Sequence, residues 1–140
     1  MYSKIIAALD ESEPSQRAVA AAAELAALSG GSLHLLHVRE RQDVVGKGGG
    51  SFDVEYKEEA DALVAAAVEK LSTTGVEVTT QVVHAPIGHV AHEIVAAAKA
   101  HGADLIVMGS HGRSALSAAV LGSNAYKVVH LADGALLVVR

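Results

Sequence analysis

Hydrophobic and polar positions along the chain follow two alternating rhythms: short apolar runs of strand length, and longer stretches with apolar residues at helical spacing. Lys4 to Leu9 opens with a continuous apolar run, the pattern of a strand buried on both faces. Ser12 and Pro14 then start a helix in which Val19, Ala22, Ala23 and Ala26 share one face, and Ser29-Gly30-Gly31 ends it. A second strand is predicted over about Leu33 to Val38. Residues 39–54 turn charged and then glycine-rich, through Gly46-Lys47-Gly48-Gly49-Gly50-Ser51, and read as a mobile loop.

The second helix carries Ala60, Leu63, Val64, Ala67 and Leu71 on a single stripe. After Gly75, Val76, Val78 and Val82 alternate with Glu77, Thr79 and Gln81. One face of this third strand is therefore wet, which puts it at a sheet edge. Pro86 is expected to begin a third helix with Ile87, Val90, Ala91 and Ile94 inward. Leu105 to Met108 is wholly apolar and central. Gly109 to Ser123 follows as a glycine- and serine-bearing stretch, then a helix with Ala125, Val128 and Val129 on one side. Ala135 to Val139 makes the last strand.

This alternation of strand and helix predicts an α/β fold with a largely parallel sheet, in one domain over residues 1–140. Composition sharpens the picture. Apolar residues make up 51% of the chain but aromatics only 3%, so the core must be built from Ala, Val, Leu and Ile. The absence of cysteine excludes disulfides, zinc–thiolate sites and cysteine nucleophiles. A formal charge of −5 with no Lys/Arg cluster argues against nucleic acid as a partner. The apolar runs are too short or too interrupted for a signal peptide or a membrane span, so a soluble, cytoplasmic protein is expected.

The candidate chemistry lies in Gly109-Ser110-His111-Gly112-Arg113-Ser114, with Gly122-Ser123 beyond it. Glycines directly after a buried strand let the backbone turn sharply and approach a ligand, and exposed N–H groups there can hold phosphate oxygens. Gly122-Ser123 stands where the next helix begins, and a helix start attracts anions. A turn and a helix cap would use the same residues, since Ser114 and Ser123 are both good N-caps.

Other motifs carry less. Ser29-Gly30-Gly31-Ser32 ends a helix, as a glycine C-cap does, and Gly46-Lys47 lacks the remaining residues of a Walker motif. His84, His89 and His92 have no carboxylate or cysteine partner in the pattern, and no metal site is expected from them. Ser110, His111 and Asp10 can be written as a triad, but adjacent Ser and His are not expected to face each other.

The stretch DLIVMGSHGRS, followed by LGS nine residues after Gly112, resembles the G-2x-G-9x-G-(S/T) nucleotide motif of universal stress proteins. KIIAALDES resembles that family's opening strand with its aspartate, LHLLHV its second strand, and ALLVVR its closing one. The chain departs from the family's common pattern at Asn124-Ala125 and at Asp133-Gly134. The resemblance implies a five-stranded parallel open sheet with helices on both faces, Rossmann-like in the manner of the adenine nucleotide alpha hydrolases. It also implies a homodimer joined through the C-terminal strand, and a stress-response module that binds ATP, with AMP or ADP as alternatives and Mg or Mn as accompanying cation; the alternative is a dimeric interaction protein of the same fold without useful nucleotide affinity. Carried over by motif, Ala8, Leu9 and Asp10 would lie near the adenosine, and Val38 would meet the adenine through its backbone. Met108, Gly109, Ser110, His111, Gly112 and Arg113, with Gly122, Ser123 and Asn124, would line the ribose and phosphates. No residue stands out as a general base, so regulation by binding, with at most slow hydrolysis, is expected over catalysis.

Overall fold

The structure, a computed structural model, describes residues 1–43, 46–112 and 120–140. Its elements run β1 (Lys4–Ala8), α1 (Glu13–Ser29), β2 (Ser32–Asp43), β3 (Ser51–Asp53), α2 (Lys57–Leu71), β4 (Glu77–Pro86), α3 (Val90–His101), β5 (Leu105–Gly109), α4 (Ser123–Leu131) and β6 (Ala135–Val139). β1 pairs in parallel with β2 on one side and β5 on the other. β4 adds to β2 and β6 to β5, also in parallel. The parallel order is thus β4-β2-β1-β5-β6, with the wet-faced strand at one edge and the C-terminal strand at the other.

The uninterrupted apolar runs of β1 and β5 follow from this position, because both faces of the sheet are covered. Ile5, Ala7, Leu33, Leu35, Leu105 and Val107 pack under α1 and α2. Ile6, Leu36, Ile106 and Met108 pack under α3 and α4. Alanines at 18, 22, 23 and 26 are all nearly inaccessible and let α1 lie close on the sheet, which offsets the shortage of aromatic residues. Ser12 caps α1, its side chain accepting from the Ser15 amide. Gly30 ends the helix in the left-handed conformation at φ 66°, which a side chain disfavours.

Three local expectations are corrected. The charged stretch after Val38 is strand, not loop: β2 continues to Asp43, because β4 pairs with it as far as Arg41 and β3 pairs antiparallel with residues 41–43. Pro86 closes β4 and does not open α3, which starts at Val90; Ile87 is half exposed in the intervening turn. On α4 only Ala125 and Val128 are buried, and Val129 faces outward with Tyr126.

Candidate functional site

Chain order reverses direction across the sheet at β1. The chain leaves β1 for β2 and β4 on one side, then crosses over to β5 and β6 on the other. Loops after β1 and β5 therefore part to opposite faces, and a crevice opens at the carboxyl ends of the strands. A cavity of about 580 Å³ occupies that position. One part is apolar, walled by Leu36, Val38, Val90, Ile94 and Met108; the other is polar, with Asp10, His111, Gly112, Ser123 and Asn124.

Of the residues singled out from the sequence, Ala8, Leu9, Asp10, Val38, Met108, Gly109, His111, Gly112, Gly122, Ser123 and Asn124 all line this cavity. Ser110 does not. It is buried behind the wall, its amide donating to the Val139 carbonyl at 2.7 Å and its carbonyl accepting from the Gly122 amide at 2.7 Å. Contrary to expectation its Oγ does meet the neighbouring ring, 3.2 Å from His111 Nδ1. Arg113 and Ser114 lie outside the described residues. Ser15, His37 and Glu40 line the cavity without having been anticipated. His37 and Glu40 fall in or just beyond a strand pattern, where a polar residue carries no signal of which side it faces.

The polar end is built by local hydrogen bonds. The Asp10 amide donates to Ser15 Oγ at 2.7 Å, and Asp10 Oδ1 accepts from the Ser12 amide at 2.8 Å. These bonds fix the turn from β1 into α1 and hold the Asp10 carboxylate at the cavity. Across from it, α4 begins at Ser123 with Gly122 as its N-cap, and among the described residues no side chain caps it. The first amides of α4 thus point into the polar end, with the positive end of the helix dipole behind them.

The glycines have a different reason from the one expected of two of them. A Cβ on Gly109 would stand 2.8 Å from the Ser15 nitrogen, and one on Gly122 would stand 2.9 Å from His111 Cα. Both close approaches are to the protein's own backbone. At Gly112 the near atom is instead a side-chain oxygen of the site, Oδ2 of Asp10.

At the apolar end the β1–β2 ladder stops early. Leu36 accepts from the Leu9 amide at 2.8 Å, and Glu40 accepts from the Val54 amide at 2.9 Å, both on the edge of β2 that faces β1 and β3. Alternation along a strand aims the N–H and C=O of Val38 at that same edge. Among the described residues neither has a backbone partner there, so the edge offers one donor and one acceptor between the end of β1 and the start of β3.

A profile of the universal stress protein family matches residues 1–140. The chain belongs to the universal stress protein family. Its relatives in this family include the universal stress protein YxiE of Bacillus subtilis, 35% identical over the full length of both chains. Solved structures share the fold. A universal stress protein from Archaeoglobus fulgidus in complex with dAMP superposes with a TM-score of 0.72 at 24% identity, covering 99% of this chain and 98% of that one. A universal stress protein in complex with cAMP gives 0.73 at 22% identity, covering 99% and 97%. Among the described residues no helix is long and apolar enough to cross a membrane.

Proposed function

We propose that this universal stress protein binds an adenine nucleotide in the cavity at the carboxyl ends of β1, β2 and β5, and acts as a nucleotide-gated regulatory module. The observation that carries the reading is the pairing of two ends in one cavity. The apolar part of the cavity beside the Val38 backbone, which has no partner on that edge among the described residues, suits a base with one donor and one acceptor edge. The start of α4, which no described side chain caps, suits phosphate oxygens. The dAMP and cAMP complexes of proteins with this fold support the same choice of ligand.

ATP is the form proposed, with AMP and ADP as the alternatives. Asp10 fits a role toward an accompanying Mg or Mn ion or toward the ribose hydroxyls, since Oδ1 is held by the Ser12 amide and Oδ2 lies over the Gly112 loop. The reading is of binding rather than turnover. Ser110 lies outside the cavity lining, and both ring nitrogens of His37 are engaged by other groups of the protein. Extraction and identification of nucleotide carried through purification, followed by calorimetry with ATP, ADP, AMP and GTP, tests the proposal. Saturable binding of adenine nucleotides with GTP weaker is expected. No binding of any of them would remove the reading.

The second reading, a homodimer through β6, rests on a separate observation. Among the described residues β6 pairs only with β5, which leaves its outer edge without a strand partner, and all five of its residues are half-buried. Such an edge is available to a second copy about a two-fold axis.

A further inference from the structure

His37 is almost wholly buried, 1% exposed, and both its ring nitrogens face oxygen acceptors. Nδ1 donates to the Leu9 carbonyl at 2.6 Å, and Nε2 lies 2.7 Å from Oε2 of Glu55, itself buried in the segment between β3 and α2. The first of these bonds falls at a telling point. Leu9 already donates its amide to Leu36, and the next rung of a parallel ladder would run from the Val38 amide to the Leu9 carbonyl. That carbonyl is taken by the imidazole, and the rung is not formed.

We infer that His37 is a positioning residue for the nucleotide site: by holding the Leu9 carbonyl it parts β1 from β2 one rung early and leaves the Val38 amide to the base. The inference rests on the nucleotide reading above but goes beyond it, since His37 need not touch the ligand. Glu55 fixes the ring from the opposite nitrogen, which ties the segment after β3 to the geometry of the base slot. Without the imidazole, the two strands would zip one rung further and the slot would lose its donor. The free carbonyl and the free amide are each other's natural partners, and an unpaired buried pair would be costly.

Two substitutions separate the roles of the two nitrogens. In His37→Asn the amide nitrogen falls near the place of Nδ1 and can still donate to Leu9; in His37→Gln it falls near Nε2 and reaches only toward Glu55. Amide hydrogen exchange in the nucleotide-free protein is the direct readout, because it does not depend on binding. The Val38 amide is expected to exchange readily in the wild type and in His37→Asn, and to become protected in His37→Gln. Adding ATP should protect it in the wild type, and ATP affinity should fall about tenfold in His37→Gln but not in His37→Asn, the effect of roughly one lost hydrogen bond to the base. A Val38 amide already protected in the nucleotide-free wild type overturns the proposal, as does equal ATP affinity in both variants and the wild type. If the Val38 exchange pattern follows expectation while no nucleotide binds, the positioning of the ladder stands and the nucleotide reading is what fails.

Discussion

A Cβ placed on Gly112 would come within 2.9 Å of Oδ2 of Asp10, so the loop after β5 passes directly over the carboxylate that follows β1. The two residues are about a hundred positions apart in sequence and belong to different crossovers, yet both line the same cavity. Gly112→Val would push a branched side chain against that carboxylate. Nucleotide affinity is expected to drop at least about tenfold while the folded state is retained, because the nearest atom is the end of a side chain and can move. Calorimetry with ATP beside a thermal melt checks both halves, and unchanged affinity would sink the assignment of this loop.

Gly109 should behave in the opposite way. The atoms its Cβ would strike, the Ser15 nitrogen at 2.8 Å and the Pro14 carbonyl carbon at 2.9 Å, are backbone at the start of α1 and cannot swing aside. Gly109→Ala is expected to lower stability by about 1–3 kcal/mol, the range for overpacking a close contact. Urea midpoints for the variant and the wild type measure it. A variant as stable as the wild type would show that the β5–α1 contact is looser than described.

A third expectation concerns acid. The His34 ring sits between β2 and the end of α3, with Nδ1 2.7 Å from Thr79 Oγ1, Nε2 3.3 Å from Gln81 Oε1, and the His101 ring centroid 3.7 Å away at a tilt of 32°. Burial holds its pKa below the ordinary histidine value; the Gln81 hydrogen bond opposes this, and the neighbouring His101 charge adds to it. The unfolded chain therefore binds a proton at this position more readily than the folded one. Stability from this site is full above the ordinary value of about 6.5 and is lost as pH falls through it toward the lower folded value. Denaturation midpoints should drop more between about pH 7.5 and 5.5 in the wild type than in His34→Gln, which has no such proton to take up. Parallel pH curves for the two proteins would count against it.

The dimer proposal makes a simple demand on β6. Among the described residues no strand pairs with its outer edge along Ala135–Val139, so deleting Val138 to Arg140 removes much of the surface two copies would share. The deletion also removes the Val139 carbonyl that accepts from the Ser110 amide, so folding must be checked by circular dichroism first. Light scattering is expected to give a dimer for the full chain and a monomer for the shortened one. A full chain that stays monomeric at high micromolar concentration, or a folded truncated chain that stays dimeric, defeats the idea.

Much of this was determined by the sequence alone, for a physical reason. Where a residue type admits few environments, the pattern is decisive. The unbroken apolar runs at 5–9 and 105–108 fit strands covered on both faces, and the half-wet alternation at 76–82 fits an edge. Gly30 after a helical stripe can only be its end. Gly109, His111 and Gly112 line the cavity because they stand at the end of β5 or directly after it, and that position was legible from the apolar run before them. What the sequence left open were the positions where partners far along the chain decide. Residues 39–43 are charged and look like loop, but β4 and β3 supply hydrogen bonds on both edges, and that pairing outweighs local preference. Gly109 and Gly122 look like ligand-facing glycines, and only the packing of Pro14, Ser15 and His111 against them reveals the closer neighbour. His37 gave no signal at all, since a histidine at the end of a strand is common. Its meaning exists only once Leu9 and Glu55 stand on either side of the ring, because a hydrogen bond is specified by two atoms and the sequence names them without saying that they meet.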